Sequence, residues 1–536
     1  MIRYLLPVIL LIGFKEVAAQ DKKPKIRDWH YLDYEKDGYR GISLEKAYGL
    51  LKGRKSETVI VAVIDSGIDT LQPDLKSVLW KNPAEIPYNK IDDDGDGLTD
   101  DVYGWNYLGA PDGENLSVSI SEIDRTYHRF KKQFEGKNLD EIPAELKWQF
   151  REWKRSLEKI DTAYNRAKSQ IEVVRQNWEF ISKSNDLLKS LLHKTTFNEK
   201  DLATIKTTKD TKEIVQVWKR IFAGHDFTND QFVKDYGNLK KGLEDDLVRK
   251  TTAPRDYRGE LLKDDSYDIS KTKYGNNNLS AHSGYHGTSV SSIIGAVRNN
   301  QTGIDGIADN VQIMMIRGIL GMDEFDKDVA LSIRYAVDHG AKVINMSFGK
   351  YLSPDKKWVD EAIKYALAKD VVLVHACGND AVDIDKDDNY PSSLTIENEY
   401  LPNLINVGAS GDASLDHLIA PFSNYGKKMV DIFAPGMEIR CAIAGNGDQV
   451  ASGTSLASPI VAGIAALLRS YFPALTASEV VTIIKKSGSV VREKVNKPGT
   501  AVEHVYLEEL CNTGSIANAA NAIKMAIAMN GGTHSK

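Results

Sequence analysis

At 536 residues, 42% of them hydrophobic and 27% charged, the chain is long enough for one large core with appended or inserted material, and its size permits an enzyme. The formal charge of -6 is the balance of 69 Lys and Arg against 75 Asp and Glu, spread so that no polycationic face is left for nucleic acid or an anionic membrane. Three cysteines exclude a disulfide framework; one bridge, Cys441 with Cys511, is expected, because Cys377 lies inside an apolar strand-like run and reads as a small buried hydrophobe.

In chain order, residues 1–19 read as an export signal, with Arg3 as the positive region, Leu5 to Phe14 apolar, and Val17-Ala18-Ala19 small enough for cleavage. About ten apolar residues fall short of the roughly twenty that a spanning helix needs. Export to the periplasm or the medium, without a stable membrane anchor, is the expectation. After an N-terminal extension at 20–56, short apolar runs ending in Gly, Asp or Ser recur at Val59–Ile64, Val311–Ile316, Val343–Met346, Val371–His375 and Leu404–Val407. Such runs suit strands buried on both faces of a parallel sheet. The helical patterns Asp328–His339 and Lys357–Lys369 lie between them, each followed by a stop at Gly340 or Asp370. The alternation predicts an α/β layered fold with a mainly parallel central sheet.

Residues 109–268 break that rhythm, being rich in charged residues and Gln and nearly free of Gly. Within them Trp153, Leu157, Ile160, Tyr164, Ala167, Ile171, Val174, Trp178 and Ile181 recur at spacings of four and three, which predicts one long helix. Ile123, Tyr127, Phe130 and Phe134 form a second stripe, so an inserted helical hairpin or bundle is expected, either a self-packed decoration or an arm for a lid or self-association. The organisation is then a core at 57–108 and 269–528 interrupted by the insertion, with a tail at 529–536.

An acidic run, Asp92 to Asp101, places Asp92, Asp94 and Asp96 at positions 1, 3 and 5 of a calcium loop and Gly97 at position 6. Position 12 is Tyr103, so the bidentate glutamate of a full EF-hand is missing. A structural calcium ion is expected, with a solvated acidic turn as the plainer alternative.

Four motifs carry chemistry. Val61 to Ile64 delivers Asp65 at the C-terminal end of a strand, before Ser66-Gly67. His286-Gly287-Thr288-Ser289 opens an apolar helical stretch, Val290 to Val297. Val371 to Cys377 ends in Gly378-Asn379-Asp380, which sets a side-chain amide at a strand end. Gly453-Thr454-Ser455 precedes an almost wholly apolar helix, whose N-terminal N–H groups point at any developing anion. Taken singly, each has a plainer reading as a turn residue, a surface histidine, a turn former or an N-cap serine.

Together these motifs resemble the subtilisin-like serine peptidases, in chain order Asp, His, Ser. The resemblance covers about 57–108 and 269–528 and implies a layered subtilisin-like fold and hydrolysis of protein or peptide substrates. It makes Asp65 the carboxylate, His286 the base, Asn379 the oxyanion donor and Ser455 the nucleophile. Asn345-Met346-Ser347-Phe348-Gly349 is similar to the family strand that lines the substrate channel, so Ser347, Phe348 and Gly349 are implied substrate-binding residues. Phe348 and Asp380 would flank a pocket compatible with an apolar or a basic residue before the cut bond. Gly514 to Lys524 is similar to the family's closing helix. Ser289 and Ile460 stand where the family commonly has further histidines. About forty residues between Gln20 and the first strand are few for the family's inhibitory folding prodomain, and the helical insertion is expected to take over part of that task. A serine esterase would need Gly-x-Ser-x-Gly, but Ala457 follows Ser455 by two; a dinucleotide fold would need Gly-x-Gly-x-x-Gly after the first strand. A non-catalytic relative would not need all four positions.

Overall fold

The computed structural model describes residues 27–280, 285–321, 324–412 and 417–531. The expected export signal at 1–19 lies outside them. Two compact units are present among the described residues, one built on 27–122, 144–152 and 255–531, the other on 123–143 and 153–254.

The first unit is organised by a nine-stranded sheet. Its main strands are β1 (Val59–Asp65), β2 (Gly104–Asn106), β3 (Val311–Arg317), β4 (Val343–Met346), β5 (Val372–Ala376), β6 (Leu404–Ser410) and β7 (Ile432–Pro435). The order is Ser489–Val490, Ser515–Ile516, β7, β6, β5, β4, β1, β3, β2, and every neighbouring pair is parallel except the first. β1 lies between β4 and β3, and its alternating side chains enter two different cores: Val61 and Val63 one, Ala62 and Ile64 the other. That period of two explains why the run reads as continuously apolar, since both faces of a parallel sheet are covered.

On one face lie the helices Tyr285–Gly295 and Thr454–Tyr471; on the other, Asp326–Asp338 and Lys356–Ala368. The last two end close to the predicted stops, with Gly340 at φ 84° and Asp370 at φ 60°. The described part of the N-terminal extension belongs to this unit. Trp29, Ile42, Leu44, Ala47 and Leu51 are buried in the first core, and the Ala519 N–H donates to the Ile42 carbonyl at 2.8 Å, tying the extension to the terminal helix Ala519–Gly531.

The expected Cys441–Cys511 bridge is not formed: all three cysteines are free and buried. Cys441 sits on the strand Ile439–Ile443 in the first core, whereas Cys511 packs with Cys377 in a separate cluster. A bridge requires Cα atoms within about 7 Å, and spacing in sequence says nothing about which core a cysteine enters.

The second unit is helical. The long helix runs Lys147–Leu192, of which the residues from Trp153 on belong to this unit; it extends beyond the predicted stretch at both ends, and at the C-terminal end Leu188 continues its apolar seam after Ile181. Its seam packs on the helices Lys209–Phe222 and Asn229–Val248 through Trp218, Phe222, Phe232 and Tyr236. The Trp218 indole N–H donates to Ser184 Oγ at 2.8 Å, so its one polar atom is not left dry.

Candidate active site and acidic loop

β1 ends at Asp65, which is 2% exposed and accepts from His286 Nδ1 at 2.8 and 3.0 Å through its two oxygens. The turn after it is fastened by Arg317, its register partner on β3, whose guanidinium donates to the Ser66 carbonyl at 3.0 Å and to Asn106 Oδ1 at 2.9 Å. Burial pushes the Arg317 guanidinium down to about 10.

His286 is the second residue of the helix Tyr285–Gly295. Gly287 lets that helix lie against the turn, since a Cβ there would come 2.1 Å from the Gly67 carbonyl oxygen. The Asp65 charge raises the imidazole's affinity for a proton above the ordinary value of 6.5, against burial, which works the other way. Nδ1 is committed to Asp65, which leaves Nε2 as the nitrogen available to take a proton.

Ser455 is the second residue of the helix Thr454–Tyr471, nearly all of which is buried. Pro459, four residues on, has no N–H to give the Ser455 carbonyl, and Ser347 Oγ donates to it instead at 2.8 Å. Ser347 in turn accepts from Asn345 Nδ2 at 2.9 Å, and Asn345 Oδ1 accepts from Ser458 Oγ at 2.7 Å, so the end of β4 and the serine turn are stitched together.

Asn379 follows β5. Its Oδ1 accepts from the Thr454 N–H at 2.8 Å and from Thr454 Oγ1 at 3.0 Å, and this orients the amide so that Nδ2 is the end left to donate elsewhere. Asp65, His286, Asn379 and Ser455 line one cavity of about 370 Å³, together with Ser347, Phe348 and Gly349. These seven residues, and Asp380 with them, all named from sequence, are thus brought to one place. The positioning partners Thr454, Asn345, Ser458 and Arg317 were given no role; Thr454 and Asn345 lay inside quoted motifs.

The acidic loop is arranged differently from an EF-hand. Asp92, Asp94 and Asp96 do not converge as one set: Asp92 and Asp94 gather with Glu85, and Asp94 and Asp96 with His339. Part of their capacity goes to backbone N–H groups, Asp92 accepting from Gly95 and Gly97 at 2.8 Å each and Asp96 from Leu98 at 2.7 Å. Glu85 Oε2 is buried with no hydrogen-bond partner among the described residues, and burial raises the proton affinity of this carboxyl. Burial also pushes Asp96 up to about 6. Glu85 and His339 come from outside the acidic run and carry no local signal of their own.

An α/β core that brings an acid, an imidazole and a hydroxyl to one cleft at the ends of parallel strands has the layout of a serine hydrolase. The model of the subtilase family, Peptidase_S8, matches residues 56–506, and the chain belongs to that family. It is 40% identical over 217 residues to the thermophilic serine proteinase of Bacillus sp. (strain AK1), covering 40% of this chain and 48% of that protein. To thermitase of Thermoactinomyces vulgaris it is 38% identical over 187 residues, 34% of this chain and 61% of that protein. To the cell wall-associated protease of Bacillus subtilis (strain 168) it is 34% identical over 221 residues, 41% of this chain and 23% of that protein. The chain therefore spans less than two thirds of each of these relatives.

Proposed function

We propose that the chain is a serine endopeptidase that cuts peptide bonds through an acyl-enzyme. The observation that carries this is the buried Asp65 bonded to His286 Nδ1 in the same cavity as Ser455, with the Asn379 amide turned by Thr454. His286 Nε2 takes the Ser455 proton as Oγ attacks the carbonyl carbon, and Asp65 holds the tautomer and steadies the imidazolium. Asn379 Nδ2 and the Ser455 N–H donate to the oxygen that gains charge. The imidazolium returns its proton to the leaving amine, and water activated by the same base releases the acyl group. Ser347, Phe348 and Gly349 line the cavity, where an extended substrate would lie.

Calcium at the acidic loop is part of the same proposal. The all-oxygen set of Glu85, Asp92 and Asp94 fits a hard cation, and the partnerless Glu85 Oε2 is an oxygen such an ion would satisfy. A calcium ion bound there would neutralise mutually repelling carboxylates and so tie the loop together. We also propose export: the relatives include a cell wall-associated and an extracellular protease, and among the described residues no helix is long and apolar enough to cross a membrane.

The test is fluorophosphonate labelling alongside digestion of a mixed peptide library, comparing the parent with Ser455→Ala. Labelling and internal cuts that both vanish in the variant are expected; cuts that persist in Ser455→Ala would refute the assignment.

A further inference from the structure

The cavity beside Ser455 has a polar floor. Between Gly349 and Gly378 it reaches Asn389: a Cβ on Gly349 would lie 3.2 Å from both amide atoms of Asn389, and one on Gly378 would lie 3.6 Å from its Nδ2. Asn389 is 7% exposed, and its Oδ1 is buried without a partner among the described residues. No hydrogen bond holds the amide among the described residues, so an incoming group can set which end it presents.

Among the described residues no Lys or Arg lines the cavity, and the one basic side chain lining it is His286, which is already paired with Asp65. His375, whose Nε2 lies as close to Gly349 as Asn389 does, is held down to about 4 by burial and adds no positive charge. Asp380, at the exposed rim, accepts from the Tyr351 hydroxyl and has no cation within 4.0 Å among the described residues. Asp65, the other carboxylate lining the cavity, is already engaged by His286.

We infer that this pocket takes lysine or arginine as the residue on the acyl side of the cut bond, its stem between Gly349 and Gly378 and its head between the Asn389 carbonyl oxygen and the Asp380 carboxylate. This rests on the peptidase reading and adds the substrate class to it. An apolar side chain would dry the Asn389 amide and leave it unpaired, whereas a long cationic one gives it a donor and gives Asp380 a counter-ion. Phe348 supplies apolar surface for the methylene stem.

The experiment uses the full chain and peptides identical except for Lys, Arg, Gln, Leu or Phe before the cut. Expected is a kcat/KM for Lys or Arg about tenfold or more above Leu, Phe and Gln, roughly the worth of one charge-assisted contact. Asp380→Asn and Asn389→Leu should each lower the Lys-to-Leu ratio about fivefold. Asp380 is exposed, so its variant carries the test if Asn389→Leu fails to fold. A parent that prefers Leu or Phe, that treats Gln like Lys, or whose ratio is unmoved by Asp380→Asn overturns the assignment. Fluorophosphonate labelling of the same samples separates the two levels. A labelled enzyme with apolar preference overturns the pocket alone, and neither labelling nor cleavage overturns the peptidase reading with it.

Discussion

Ser347 donates its hydroxyl to the backbone carbonyl of Ser455, across 108 positions of sequence, because Pro459 leaves that carbonyl without its helical partner. The strand end that lines the cleft and the turn that carries the proposed nucleophile therefore move together. Ser347→Ala should cost about 1 kcal/mol of stability, the net worth of one such bond. It should also lower kcat by more than that loss alone explains, because Ser455 loses its tie to the strand. Thermal melts and steady-state kinetics on the same preparation decide it; unchanged kcat would mean the bond is only structural.

Thr454 holds the Asn379 amide through two hydrogen bonds. In subtilisin, which belongs to this chain's own family, losing the matching side-chain donor costs about 10² to 10³ in kcat, and Asn379→Ala is expected to do the same here. Thr454→Val keeps the backbone bond and removes one of the two, so a smaller fall, about tenfold, is expected. KM should change little in both, since the amide acts on charge that develops after binding. Equal effects on KM and kcat would contradict the role.

In the proposed reaction His286 must be neutral to act as the base, and Asp65 raises its pKa above 6.5. Activity should therefore rise with pH through that raised value and be lost as pH falls below it. The pair's contribution to folding has the opposite sign. It is fully present below the unfolded-state value of 6.5 and is lost as pH rises through the folded one. Since the His286 side chain is 46% exposed, that contribution is small. Asp65→Asn should move the acid limb of kcat/KM to lower pH and reduce the plateau by about 10⁴. A limb that stays in place would show that another group controls it.

Calcium removal should lower the melting temperature of the parent and leave Glu85→Gln much less affected, because the oxygen that distinguishes the set is no longer a carboxylate. A site saturated to about 100 times its dissociation constant contributes about 2.7 kcal/mol, a shift of several degrees. Melts in chelator and in added calcium measure it. Equal melts in both, for the parent, would remove the ion from this loop.

Much of the sheet was readable residue by residue. β1 and β4 begin where their apolar runs begin, and the helices before Gly340 and Asp370 end next to those stops. The long helix was readable in kind but not in extent, since its seam continues past Ile181 with wider gaps. Three features were not readable for a common reason. Glu85 and His339 join the acidic loop, Arg317 locks the turn after Asp65, and Cys441 and Cys511 enter separate clusters. Periodicity reports which face of an element is buried, not which element buries it.

The order of an acid, an imidazole, an amide and a hydroxyl, each at the edge of an apolar run, was set by the amino-acid sequence alone, and so were the parallel sheet and the helical insertion. What only the folded chain decided is the pairing across distance: β1 between β3 and β4, His286 against an aspartate 221 residues away, Asn379 turned by Thr454, and Asn389 under Gly349. Hydrogen bonds and close packing of that kind depend on sheet order and side-chain direction, which arise only when all the layers are assembled at once.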